Sequence, residues 1–130
     1  MLRDKSDNVA ESTKQIFKRF TPKCHSNHGA LWCDCTLSEG FLRDHYYEKF
    51  WYGNNNRYAW DSGTCTIAAN NKGRSRSTYV YGREVLTKAV PILDRCWNQQ
   101  DCQQLKSGVI EADNDYPKVC VCAKSAVQSC

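Results

Sequence analysis

Nine cysteines fall at Cys24, Cys33, Cys35, Cys65, Cys96, Cys102, Cys120, Cys122 and Cys130, and none precedes residue 24. Beyond that point their density approaches that of a short disulfide scaffold. Cystines in such number persist in oxidising surroundings, so the sequence predicts a secreted, extracellular protein. A second reading stays open. Cys24, His25, His28, Cys33 and Cys35 supply zinc-ligand chemistry for an intracellular module, although their spacing matches none of the common zinc patterns.

A chain of 130 residues predicts one compact domain. The chain is not rich in Leu, Ile, Val and Phe, so these residues alone make a thin core. Aromatic rings and cystines must supply much of the rest, and the rings crowd one stretch from Trp32 to Trp60. The net charge is +4, and its densest basic cluster is Lys72, Arg74 and Arg76. This cluster reads as a solvated hairpin tip or as a contact for acidic surfaces. No stretch approaches the ~20 apolar residues needed to span a bilayer, so no transmembrane segment is expected.

Residues 1–23 stand apart, with no cysteine, no tryptophan and alternating charge. Val9, Thr13, Ile16, Phe17 and Phe20 recur at helical spacing, giving a short amphipathic segment. Lys18-Arg19 is the one dibasic pair in the chain, and it lies at the border of the cysteine-bearing region. It reads as a processing site of the kexin type, cut after Arg19, or as two solvated side chains. The expected organisation is therefore an N-terminal pro-segment over 1–23 and a cystine-stapled domain over 24–130.

Within that domain, the alternation over Ala30–Leu37 predicts a strand carrying Cys33 and Cys35 on one face. Thr36 and Glu39 suggest a capping box for a helix from about residue 39 to 52. Gly63–Ala69 and Ser77–Tyr81 read as a hairpin around Asn70-Asn71-Lys72-Gly73. Arg83 to about Trp97 has a helical stripe interrupted by Pro91, which predicts a kink or restart. Tyr116–Ala123 closes the series as a strand. The order strand, helix, strand, strand, helix, strand is that of a split βαβ unit. It predicts an α+β fold, a small disulfide-rich α/β sandwich with an antiparallel sheet and both helices on one face. The first and last strands should then be neighbours. Cys24, Cys33, Cys35, Cys65, Cys96, Cys102, Cys120 and Cys122 are expected to form four disulfides. Cys130 is left as a free or intermolecular thiol, and the connectivity does not read out of the sequence.

Two constellations carry candidate chemistry. Asp44, His45 and Glu48 place a base and an acid three residues apart, a pair that a small secreted hydrolase such as a ribonuclease could use. The same spacing occurs on solvated helix faces. Trp51, Tyr52, Tyr58 and Trp60, interleaved with asparagines, form either a stacking platform or the filling of a small core. No catalytic residue, metal or cofactor is assigned. The binding candidates are Trp51, Tyr52, Tyr58 and Trp60 together with Lys72, Arg74 and Arg76.

The sequence Cys33-x-Cys35, an aromatic helix, Gly63-x-Cys65, and Cys96-x5-Cys102 after the second helix resembles the virally encoded killer toxins of smut fungi. It is also similar to related cystine-rich α/β-sandwich effectors of plant-pathogenic fungi, and more distantly to xylem-secreted fungal effectors. The resemblance covers roughly residues 24–123, and the paired Cys120-x-Cys122 and Cys130 depart from it. It implies a secreted, non-enzymatic fungal virulence or killer-toxin-like protein, matured at a dibasic site such as Lys18-Arg19. Its expected partner is a protein or cell-surface target of a host or competitor, with a second secreted protein as a further candidate. No specific nucleic acid is expected as a partner.

Overall fold

The computed structural model describes residues 20–53, 56–71, 78–98 and 101–129. Strand β1 (Lys23–Leu31) leads directly into helix α1 (Trp32–Asp44), which is followed by the short strand β2 (Lys49–Trp51). Strands β3 (Arg57–Ser62) and β4 (Cys65–Asn70) come next, then β5 (Tyr79–Tyr81) and helix α2 (Gly82–Cys96). The chain ends with β6 (Leu105–Ile110), β7 (Lys118–Ala123) and a 3-10 helix over Lys124–Ser129. Five strands form an antiparallel sheet in the order β1-β6-β7-β4-β3, while β2 and β5 pair in a separate two-stranded sheet. The α+β class, the antiparallel sheet and the disulfide-rich sandwich expected from the sequence are all present. Among the described residues, no helix is long and apolar enough to cross a membrane.

Several element boundaries differ from the sequence reading. Trp32–Leu37 is the start of α1 rather than the end of a strand, and residues 49–51 leave the helix to form β2. The hairpin joins β3 to β4 through Gly63-Thr64, so β4 does not pair with β5. Gly63 has φ +55°, a conformation that a two-residue hairpin asks of glycine. A Cβ there would also lie 2.5 Å from the Asp34 carboxyl carbon. Leu105–Ile110, assigned to no element from sequence, is β6, and it separates β1 from β7. Helix α2 passes Pro91 without interruption. Lys23 already pairs with Val109, so the sheet begins inside the segment that composition sets apart.

Strand alternation sorts the core. Ile67 and Ala69 of β4 and Val119 and Val121 of β7 face the helices, as do Val85, Ala89 and Ile92 of α2 in return. Both helices pack on this face and on each other. The alternate residues Thr66 and Ala68 are also buried, because the 3-10 helix lies across β4 and β7 on the far side. Two indoles lock the helical layer: Trp32 Nε1 donates to Leu93 O at 3.3 Å, and Trp97 Nε1 donates to Ala30 O at 3.0 Å.

Three disulfides cross the layers: Cys24–Cys96, Cys33–Cys102 and Cys35–Cys65, spanning 72, 69 and 30 residues. Loop closure of this length restricts the unfolded chain by about 3.5–4.5 kcal/mol per bridge. Gly108 makes room for the first: a Cβ there would come within 2.7 Å of Cys96 Sγ. Cys120 and Cys122 alternate with the core valines and are buried on the sheet face away from the helices. Of the four bridges expected from the sequence, three are seen among the described residues, and they use Cys24, Cys33, Cys35, Cys65, Cys96 and Cys102. Cys130 lies outside the described residues.

Lys88 on α2 is fully buried. Its Nζ donates to the carbonyls of Glu111 (2.6 Å), Pro117 (2.9 Å) and Tyr116 (3.3 Å), and sits 3.2 Å from Asp113 Oδ2. One ammonium thus holds the whole β6–β7 connection against the helix. Burial alone is costly for this charge, and the ring of acceptors offsets it. Lys88→Met should cost about 3–5 kcal/mol in urea unfolding. Asp113→Asn should cost no more than about 1 kcal/mol, since Asp113 is substantially exposed.

Asp34 and Asp113 each contribute stability that depends on pH. Hydrogen bonds from the backbone N–H and the hydroxyl of Thr64 hold Asp34 below the usual carboxylate range. At Asp113 burial pushes upward, but the N–H groups of Asp115 and Tyr116 and the Lys88 ammonium outweigh it. A carboxylate lowered in the folded state stabilises it above the unfolded value of about 3.9, and that contribution is lost as pH falls through the folded value. Thermal melts should therefore be insensitive to these two groups between pH 7 and 5 and should fall below about pH 4. Asp34→Asn should flatten that acid limb.

Candidate functional site

The two-stranded sheet has one face in the core and one in solvent. Phe50 and Val80 pair across it and are buried, at 6% and 1% exposure. Their neighbours alternate outward, pairing Lys49 with Tyr81 and Trp51 with Tyr79. The ladder continues through Tyr52 N–H to Thr78 O at 2.9 Å. Outward rings make a row: Trp51 lies 5.2 Å from Tyr79, which lies edge-on to Tyr81 at 5.5 Å. Lys49 Nζ stands 4.6 Å from the Tyr79 centroid, and the Arg83 guanidinium stands 4.3 Å from that of Tyr81. Trp51 is 60% exposed.

The start of α2 anchors this face. Its first free N–H groups, on Gly82 and Arg83, donate to the carbonyls of Glu48 and Tyr46 at 3.1 and 2.9 Å. Glu84 reaches back, accepting from Tyr81 N–H at 2.9 Å. A Cβ on Gly82 would collide with the His45 carbonyl, so the turn can approach this closely only at a glycine. The aromatic row is therefore mounted on two rigid elements.

The structure divides the sequence candidates. Trp51 belongs to the exposed row. Trp60 is 6% exposed, and with Phe50 and Tyr58 it forms a cluster of rings 4.8–5.3 Å apart. Tyr52 and Tyr58 are half-buried against that core. Trp60 thus fills the core, the second of the two readings given for this run, and Tyr58 packs against it while staying half-buried. Lys72, Arg74 and Arg76 lie outside the described residues, as do Lys18 and Arg19. Lys49, Tyr79, Tyr81 and Arg83 were missed, because the row joins two segments some thirty residues apart. Its one local signal is the Tyr79-Val80-Tyr81 alternation beside Arg83.

The other candidates resolve differently. His45 Nδ1 contacts Glu48 Oε2, so the expected pair forms, and the imidazole stacks on Phe41 with centroids 4.0 Å apart. Glu48 N–H donates to His45 O at 3.0 Å, closing the turn between α1 and β2. The zinc reading loses three of its ligands, since Cys24, Cys33 and Cys35 are each bonded to another cysteine. His25 and His28 instead border a cleft of about 230 Å3 on the far side of the sheet, floored by Cys120 and Cys122. Its volume is below the ~300 Å3 at which small-molecule pockets begin.

No protein-family model matches the sequence, and no curated protein is significantly similar to it. The geometry of the site therefore carries the functional argument.

The two aromatic sets should separate in a stability measurement. Trp60→Ala should cost about 3–5 kcal/mol in urea unfolding, as loss of a buried large ring does. Trp51→Ala should cost no more than about 1 kcal/mol, the worth of one exposed ring contact. Comparable losses would place Trp51 in the core.

Proposed function

We propose that this chain is a secreted, non-enzymatic binding protein of the cystine-rich fungal effector or killer-toxin kind. It engages a cell-surface target of a host or competing organism through the exposed β2–β5 face. The observation that carries the reading is the row of Trp51, Tyr79 and Tyr81 interleaved with Lys49 and Arg83. One exposed indole and two half-buried tyrosine rings beside cations, mounted on a sheet and a helix start, have the composition of interface anchors. The three disulfides support an oxidising compartment.

Processing after Arg19 is part of the same proposal. Phe20, the residue that would become the new N-terminus, is tied to the body. Its carbonyl accepts from Arg95 Nη1 at 2.9 Å, and its ring meets Tyr116 edge-on at 5.8 Å. A cut there would leave an anchored end. The His45–Glu48 contact is assigned to closing the α1–β2 turn and presenting α2, with no catalytic role.

The test uses labelled protein secreted from a kexin-competent yeast, with its N-terminus sequenced, applied to intact plant suspension cells and to intact yeast cells. The expected product begins at Phe20 and is retained on one cell type. The triple variant Lys49→Ala/Trp51→Ala/Arg83→Ala should be retained at least tenfold less. Equal retention of the variant would overturn the assignment of the face. RNA cleavage that disappears in His45→Ala would overturn the non-enzymatic reading.

A further inference from the structure

We infer that the β2–β5 face binds an acidic polysaccharide of the polyuronate kind, with Lys49 and Arg83 on its carboxylates and Trp51 beneath one sugar ring. This inference rests on reading that face as the target-binding surface, and it adds the chemistry of the target.

The cations are placed and unspent. Among the described residues, neither Lys49 nor Arg83 forms an ion pair with a carboxylate. The nearest acids in the chain are engaged elsewhere: Glu48 contacts His45, and Glu84 accepts from the Tyr81 N–H. Each cation instead rests over a tyrosine ring, which attracts it without neutralising it. A side chain so held has less freedom to lose when an anion arrives. Read as sequence alone, the stretch that leads into β5 and α2 is basic too: residues 72–83 carry Lys72, Arg74, Arg76 and Arg83 and no acidic residue. The complement of this surface is a polyanion.

The rings decide which polyanion. Single-stranded nucleic acid is held by stacking successive bases on successive open rings. Here Lys49 covers Tyr79 and Arg83 covers Tyr81, which leaves Trp51 as the open ring of the row. One open indole at the end of the row, with both ring-held cations to one side of it, suits a chain that presents an apolar C–H face once and carboxylates beyond it. A helical or globular protein partner would need a broader apolar area than one indole offers. The acidic glycan fits both the charge and the single ring.

Affinity electrophoresis in gels containing polygalacturonate, neutral dextran or poly(U) tests this. Polygalacturonate should retard the wild-type protein, increasingly at low salt, and dextran should not. Lys49→Ala and Arg83→Ala should each weaken retardation at least threefold, and Trp51→Ala about tenfold. Lys124→Ala, an exposed cation on the 3-10 helix, should leave it unchanged. Near-UV circular dichroism of each variant confirms the fold. Equal weakening by Lys124→Ala would reduce the effect to net charge and overturn the inference. Tighter retardation by poly(U) through the same residues would also overturn it, in favour of nucleic acid. If polygalacturonate fails while the triple variant still loses cell retention, the ligand class falls and the face stands. If the triple variant keeps cell retention, the face itself falls.

Discussion

Four consecutive residues at the start of helix α1 fasten most of this protein together. The Trp32 indole donates to α2 at Leu93 O, and Cys33 bonds to Cys102 ahead of β6. Asp34 Oδ2 accepts from both the N–H and the hydroxyl of Thr64 at 2.8 and 2.7 Å, and Cys35 bonds to Cys65 at the head of β4. The Thr64 hydroxyl oxygen in turn accepts from Leu31 N–H at 3.0 Å, satisfying the donor at the helix entrance. Leu31 makes no side-chain cap bond, and the β3–β4 turn satisfies the Leu31 N–H from outside the helix. A thin aliphatic core could not fix the relative position of helix, hairpin and sheet alone. One covalently and electrostatically pinned turn does it.

That pin also explains where the sequence misled. Trp32-Cys33-Asp34-Cys35-Thr36-Leu37 alternates as cleanly as a strand, and local pattern had no access to the two bridges and the Thr64 contact that curl it into a helix. The helical signal of α1 is weak in any case, since Leu37 and Phe41 stay exposed while Cys35, Ser38 and Leu42 are buried. In contrast, α2 was legible because its apolar residues fill the inner layer, and Pro91 did not break it. The sheet strands were read where both faces are apolar, as in β4 and β7. β6 escaped notice because Gly108, small to admit the Cys24–Cys96 bridge, interrupts its alternation. The class of fold followed from element order. The pairing of strands did not, because register is decided by contacts distant in sequence.

Lysine has two opposite uses in this molecule. Lys88 is buried and surrounded by carbonyl oxygens and Asp113, so its charge is consumed in holding a loop. Lys49 lies in solvent over a tyrosine ring, its charge still available to an arriving anion. Composition counts both equally in the net charge of +4. Only their surroundings separate a buried structural cation from an exposed one held over a ring.

The same sorting applies to the aromatic residues, and here strand alternation does it. Phe50 turns inward to meet Tyr58 and Trp60, whereas Trp51, its immediate neighbour, turns outward to meet Tyr79. A slip of one residue in the β2–β5 register would exchange these roles, burying Trp51 and Lys49 and exposing Phe50. The register is held against such a slip by the backbone bonds from Gly82 and Arg83 to Glu48 and Tyr46, which join β2 to the start of α2 independently of any side chain. The outward face of β2 and β5 is thus positioned by the first N–H groups of a helix. Its chemistry could be altered residue by residue without disturbing the hydrogen bonds that aim it.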